Sequence, residues 1–469
     1  MVESWAASEL KYANLGDKRL NKRLVKMVED FTNQPNVSVP QACGDWAGTQ
    51  GAYDFWANKR VLASDIRDAH ALSTIERIKK ESLILAIQDT TELNLTHHPS
   101  TQGLGYLDSA SSRGLKVHTT LCVSSTGIPL GVLNQSVWFR DIKELGKKHL
   151  RHQKLTKDKE SQKWITALTS TNTYTEIEPS TRVVTVGDQE ADIYDLFNTP
   201  RPPNSEFLIR ARHNRVVNGE NGENEEERKL QDAIGRSAPL GQKVLELKAN
   251  PKREAREATL TIRATSVEIT PPKKRWKKDK SLKPIKMQVI LAEEENPPPD
   301  VEPVSWLLLT TLHFTGLPDV LEILVWYSYR WLIERYHYIL KSGCGLEKLQ
   351  LKTSDRISKA LATYNIVAWR LLWLTYVSRT HPEEPVELVL EPNQWQALYC
   401  YIHVVAQPPE RMPTVNQCLR WIAKLGGFLG RKGDGEPGVK TIWRGLRRLD
   451  DIAQTWLILH SGSSPPEEE

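Results

Sequence analysis

The sequence predicts an α/β protein, a mixed sheet with covering helices, flanked at both ends by helical segments. Three observations predict it. SLILAIQDTTEL (82–93), LKVHTTLCVSSTG (115–127), IPLGVLNQSVWF (128–139) and TRVVTVGD (181–188) are β-branched runs bounded by Gly, Asp, Ser or Thr, and they read as strands. A charged helical stretch at about 154–170 separates the third run from the fourth, and three strands, a helix and another strand suggest a mixed sheet. Helical periodicity precedes and follows this block.

At the start, residues 3–31 read as one helical segment. Lys18, Arg19, Lys22, Arg23 and Lys26 fall on one side, and Leu20, Leu24, Met27 and Val28 on the other. The basic side reads equally as a solvated face or as a face laid against phosphates. QPNVSVP (34–40) breaks the pattern, and 47–58 and 63–80 are again helical. A second β-rich block spans about 205–312, with EFLIRAR, KVLELKA, ATLTIRATSVEIT, MQVILAE and SWLLLTTL as its strands. Two loops interrupt it. NGENGENEEER (218–228) is acidic, and PPKKRWKKDKSLKPIK (271–286) carries eight Lys or Arg among its last fourteen residues. That second loop reads either as a DNA-backbone contact or as a solubilising loop. Helices follow at about 319–342 and 354–379, then a linker at 381–394, a helical segment at 395–460 with a Gly-rich loop, and a disordered tail, SGSSPPEEE.

Length and composition narrow the class. A chain of 469 residues suggests two or three domains. No run of 18 apolar residues occurs, and the polar start lacks a signal-peptide core, so a cytosolic protein without a membrane span is expected. The five cysteines are scattered with no CxxC pair, which argues against a disulfide framework or a structural zinc site. A net charge of +5 says little by itself about a polyanionic partner.

The chemistry is carried by acids. Asp89 follows the apolar run LILAIQ, and Asp188 follows VVTVG. Each stands where a buried strand emerges at its C-terminal end, the edge at which ligands collect in α/β sheets. Were the two strands parallel neighbours, the carboxylates would converge and repel unless a divalent cation held them. Oxygen-only ligands suit Mg²⁺ or Mn²⁺ rather than zinc. For either aspartate alone, a turn or helix cap is the stronger reading. A third element adds weight. On a continuous helix through 327–341, Tyr327, Arg330, Glu334, His337 and Lys341 fall within an arc of roughly 80°. A solvated face would also show the Arg330–Glu334 spacing.

The spacing of Tyr327, Arg330, Glu334 and Lys341 resembles the signature of the insertion-sequence-four group of bacterial transposases. KSGCGLEKLQL continues the match. AIQDTTEL and GDQEADIYDL resemble the group's first- and second-aspartate motifs, and SRGLKVHTTL, FLIRARH, ILAEEENPP, SWLLLTT and AKLGGF have counterparts in the same order. The resemblance implies an RNase H-like mixed sheet in a catalytic domain at 66–380, with a β-rich insertion at about 212–315. It also implies a helical domain at 1–65 that binds transposon-end DNA, through Lys18, Arg19, Lys22 and Arg23 among others, and a helical dimerisation domain at 381–469. Asp89, Asp188 and Glu334 would hold two Mg²⁺, with Mn²⁺ as a substitute. Tyr327, Arg330 and Lys341 would grip DNA near the cut end. Trp306 would stack on a flipped base when that end forms a hairpin, and Arg210 would steady the hairpin. The implied activity is cut-and-paste transposition by a homodimer, from transposon ends to target DNA, in the bacterial cytoplasm at the nucleoid.

For Trp306, core packing is the competing reading. Gln189 stands where the group often has Arg, so the phosphate contact of that Arg is not carried over. Glu190 and Asp192 are given no metal role. Two other functions fit the same acids: a structure-specific nuclease without strand transfer, and a catalytically silent DNA-binding protein or transposition inhibitor.

Overall fold

The computed structural model describes residues 4–146, 159–218, 228–247, 254–277 and 279–460. The interior of the acidic loop, the start of the charged stretch at 154–158 and the tail from residue 461 lie outside the described residues.

The chain begins with α1 (Trp5–Glu9), capped by Ser4, and α2 (Lys18–Asn33), capped by Asp17. One helix was expected over this stretch. The first helix ends at Leu10, and after Gly16, with φ of 72°, Asp17 caps a new one. On α2, Leu24, Met27, Val28 and Phe31 are buried. Helices α3 (Val39–Cys43), α4 (Trp46–Ala57) and α5 (Ala63–Ile78) follow.

Next come β1 (Leu83–Asn94), β2 (Gly105–Tyr106), β3 (Arg113–Ser124) and β4 (Pro129–Trp138). Then α6 (Gln162–Ile177), β5 (Arg182–Gly187), α7 (Tyr194–Phe197) and β6 (Ser205–Arg210) lead into the second β-rich block. That block holds β7 (Val216–Asn218), β8 (Arg228–Lys229), α8 (Leu230–Gly235), β9 (Pro239–Leu247), β10 (Arg256–Ile269), α9 (Lys273–Trp276), β11 (Ile285–Glu294) and β12 (Ser305–Thr310). The chain closes with α10 (Leu317–Ser328), α11 (Trp331–Tyr338), α12 (Ser354–Thr380), α13 (Pro392–His403), α14 (Val415–Leu425) and α15 (Val439–His460).

The helix expected over 319–342 is not continuous. The N–H groups of Tyr329 and Arg330 bond three residues back, to Trp326 O at 3.2 Å and Tyr327 O at 3.0 Å, and α11 starts after them. Its end runs into a π turn at Ile339–Gly343. A tighter turn and a wider one each change the rotation per residue, so a uniform 3.6-residue wheel does not describe 327–341. Tyr327 and His337, placed on the expected arc, are both buried.

The described chain forms two compact units, one of Met1–Lys80, Thr90–Lys148 and Leu332–Glu469, the other of Glu81–Asp89 and His149–Trp331. The second unit is built on parallel pairing of β1 with β5 and of β5 with β6. Ile84, Leu85, Ala86 and Ile87 are fully buried, as a strand covered on both faces requires. Antiparallel pairing then runs from β6 to β12, β11 and β10, and β10 also pairs with β9 and β7. Trp164 and Leu168 of α6 pack with Phe197, Phe207, Ile209 and Val289 in one core. Burial of each such side chain contributes about 1.5–3 kcal/mol.

In the first unit the long helix α12 is the centre, buried along most of its length. Its inward polar groups are paired. Thr363 accepts from Trp56 Nε1 at 3.3 Å, and Trp369 Nε1 donates to Pro129 O at 2.9 Å. Helices α14 and α15 meet glycine to glycine. A Cβ on Gly445 would overlap the carbonyl of Ile422, and one on Gly426 the carbonyl of Thr441. Backbone cannot yield as a flexible side chain can. Gly445→Ala is therefore expected to cost at least about 1–3 kcal/mol, read as a lowered thermal midpoint. An unchanged midpoint would mean that the two helices are free to separate.

Candidate active site

In the second unit, β1 and β5 bring two acids level. Ile87 pairs with Val186, so Asp89 and Asp188 each lie two residues beyond the last registered pair. Asp188 keeps an extended backbone, φ −82° and ψ −168°. Parallel neighbours lie about 4.8 Å apart, and residues at matching register project to one face. The two residues therefore stand side by side at the C-terminal edge of the strands. Asp188 accepts the Glu190 N–H at 2.8 Å, capping the short 3₁₀ turn Gln189–Ala191.

Cations and aromatic rings surround that edge. Gly187 pairs with Ile209, which sets Arg210 level with Asp188. Arg210 Nη2 donates to Ser305 O at 3.0 Å. Trp306 lies two residues from Leu308, the partner of Arg210 across β12, and so shares its face. The Trp306 ring is half-buried and meets Tyr327 edge-on, with centroids 5.7 Å apart. Tyr327 is 4% exposed. Burial raises its pKa against the pull of Arg330 and Arg210, and its hydroxyl shares a hydrogen bond with Arg330. The Arg330 guanidinium also lies 5.1 Å from the Trp331 ring centre. Burial raises the Asp188 pKa, and Glu190 adds repulsion, while the Glu190 N–H, Arg330 and Lys163 pull the other way.

Sequence reasoning missed Lys163. It stands on α6, near Asp188, with its ammonium 3.4 Å from Glu190. Asp192 proves to be an anchor. It is 2% exposed and accepts the N–H groups of Arg212 and His213, both at 2.8 Å, and Arg215 Nε at 2.8 Å. Those bonds use its lone pairs and fix the turn after β6 beside the site.

The first unit holds the remaining acid. Glu334 is half-buried in the first turn of α11. Tyr336, two residues on, donates to Asn365 of α12, and Gln135 Nε2 donates to both Tyr336 Oη at 3.2 Å and Asn365 Oδ1 at 3.3 Å. This buried network fixes the helix that carries Glu334. Lys341 is half-buried in the π turn. Burial pushes His337 down to about 3, with Lys341 adding to the shift.

On α2, Lys18, Arg19 and Lys22 are exposed. Arg19 pairs with Asp17 at 3.0 Å. The Arg23 guanidinium lies directly over Gly51 of α4, where any Cβ would displace it. The basic loop is tethered by an Arg275–Asp195 ion pair and by Tyr194 Oη donating to Lys283 O at 2.7 Å. Trp276 is exposed beneath the Lys280 ammonium, 3.1 Å from the ring centre.

Among the described residues no three His, Cys, Asp or Glu side chains are grouped closely enough to hold a metal ion. The register gathers a pair, Asp89 and Asp188, and its hard oxygens with raised proton affinity at Asp188 fit a divalent cation. No helix among the described residues is long and apolar enough to cross a membrane.

Three family models match the chain: a transposase DNA-binding model over residues 2–61, a transposase DDE domain over 165–370, and a Tn5 transposase dimerisation domain over 366–456. The second range includes Asp188, Tyr327, Arg330, Glu334 and Lys341, and Asp89 precedes it. The protein is a DDE transposase, an enzyme that cleaves DNA and joins strands on an RNase H-like fold. Within that class the chain belongs to the Tn5-related, insertion-sequence-four-like transposases. Divalent metal ions are the general cofactor of the class, and DNA binding and dimerisation follow from the other two domains.

Proposed function

We propose that this transposase works by cut and paste, through a hairpin at the cut end, with Asp89, Asp188 and Glu334 as its catalytic acids. The observation that carries the proposal is the level placement of Asp89 and Asp188 on adjacent parallel strands. The three carboxylates would hold two Mg²⁺, or Mn²⁺ in their place. When bound, the ions would lower the pKa of the attacking water or 3′-hydroxyl and neutralise charge on the leaving oxygen.

The protein's own groups do the positioning. Arg330 and Tyr327, joined by a hydrogen bond, would hold a backbone phosphate beside Asp188, and Lys341 would add a third contact. Arg210, level with Asp188, would bind the bent strand of the hairpin. Trp306 has a half-exposed ring braced by Tyr327, and it would take the base that the bend unstacks. Stacking of that kind contributes about 1–3 kcal/mol. Lys18, Arg19, Lys22 and Arg23, in the helical domain of residues 1–65, would bind the transposon end. The catalytic domain would span 66–380, and residues 381–469 would pair two copies in a synaptic complex before joining to target DNA.

Trp306→Ala is expected to slow hairpin formation by about 10-fold or more, from the stacking energy lost, and to leave the first nick within a few-fold of wild type. Single-turnover reactions resolved on a denaturing gel separate the two steps. Equal slowing of both would reduce Trp306 to a packing residue beneath Tyr327.

A further inference from the structure

A groove in the first unit lies apart from the acids. It has a volume of about 500 Å³ and opens to solvent between the α2–α3 region and the α14–α15 pair. Gln34, Gln41, Gly427, Arg444, Arg447 and Asp451 line it, and Arg448 closes one wall. The groove thus draws on the segment matched by the DNA-binding model and on the segment matched by the dimerisation model.

Its charges are unequally satisfied. Gln34 Nε2 donates to Asp450 Oδ2 at 2.7 Å and to Asp451 Oδ1 at 3.2 Å, so both acids on this turn of α15 are engaged. Arg448 is spent on the wall, donating to Leu425 O and Tyr401 Oη, both at 3.0 Å. Arg444 and Arg447 donate no side-chain hydrogen bond to any described residue, and Arg447 Nε is buried without a partner. Two guanidiniums one helical turn apart, neither held by a side chain or carbonyl of the described residues, match a tetrahedral oxyanion.

We propose that this groove binds a phosphate of the DNA backbone, which makes α15 part of the DNA-binding surface as well as of the dimerisation segment. The proposal rests on the DNA-binding reading of the chain. A mixed-sequence duplex is titrated with the full chain across a range of salt, for wild type, R444Q/R447Q and R444K/R447K. Each phosphate contact contributes about −0.9 to the slope of log K against log salt. The glutamine pair is expected to weaken binding roughly 3- to 10-fold at low salt and to flatten the slope by about 1. The lysine pair is expected to keep the slope. Thermal melts of each variant in pyrophosphate report a free anion in the groove.

An unchanged slope in a glutamine pair that melts like wild type overturns the proposal. So does a groove that takes up pyrophosphate in wild type but leaves duplex binding indifferent to the glutamine pair, because the anion is then not DNA. Failure of wild type itself to bind duplex sinks the DNA-binding reading instead, a result visible in the same titration.

Discussion

Asp188→Asn yields a protein that binds element-end DNA as wild type does and cleaves it at least about a thousandfold more slowly. The substitution keeps the shape of the side chain and its acceptor for the Glu190 N–H, so the 3₁₀ cap survives. It removes one negative charge from an edge that already carries Arg210, Arg330 and Lys163. Affinity for a polyanion should therefore hold or rise, while the hard oxygen pair with Asp89 is broken. Gel-shift and cleavage assays on one preparation check both halves. Loss of binding in step with cleavage would assign Asp188 to the architecture of the strand edge rather than to the chemistry.

The second large effect is on stability. Glu9 of α1 is buried and takes three charged or polar donors. His70 Nδ1 lies 2.6 Å from it, and Arg77 supplies bonds of 2.7 and 3.0 Å. Since His70 Nε2 accepts the Val132 N–H at 3.0 Å, the proton is on Nδ1 and the ring is neutral. Glu9→Ala leaves the buried His70 N–H without its acceptor and takes two bonds from Arg77, which keeps Leu130 O and Thr74 Oγ1, and losing a buried acceptor in this way costs about 1–3 kcal/mol, more where the donor is charged. Thermal unfolding should show a midpoint lowered by several degrees, and a shift near zero would mean that water reaches the cluster.

The same cluster sets a pH dependence. Burial holds the His70 pKa below its usual 6.5, so stability falls as pH drops below 6.5, where the unfolded chain takes up the proton. Its partners hold the Glu9 pKa below 4.5 despite burial, so a further loss follows as pH falls through that lower value. Unfolding midpoints measured from pH 7 down to pH 2 check the direction of both losses.

Much of the frame was legible in the sequence, because the runs ending in Asp89 and Asp188 are apolar, β-branched and sharply bounded. Their adjacency was only a condition in the sequence, and the β1–β5 register supplies it. The basic and apolar faces of α2 were also legible, since both follow from spacing within one helix. Other features depend on partners far along the chain. Asp192 reads as a loose acid until Arg215 and the backbone at Arg212 and His213 close on it. Lys163 gains its meaning from a strand end 25 residues later. The break at Tyr329–Arg330 carries no Gly or Pro, and the π turn at Ile339–Gly343 ends against the bulky Trp443. A helical wheel registers neither change of pitch.

The most direct test incubates purified protein with Mg²⁺, a target plasmid and labelled DNA carrying the ends of its own element, and resolves the products on a denaturing gel. A nick at the element boundary, then a hairpin, then a product joined to the plasmid are expected, all absent in Glu334→Gln. Binding to the ends without any cleavage, in Mg²⁺ and in Mn²⁺ alike, would contradict the cut-and-paste mechanism.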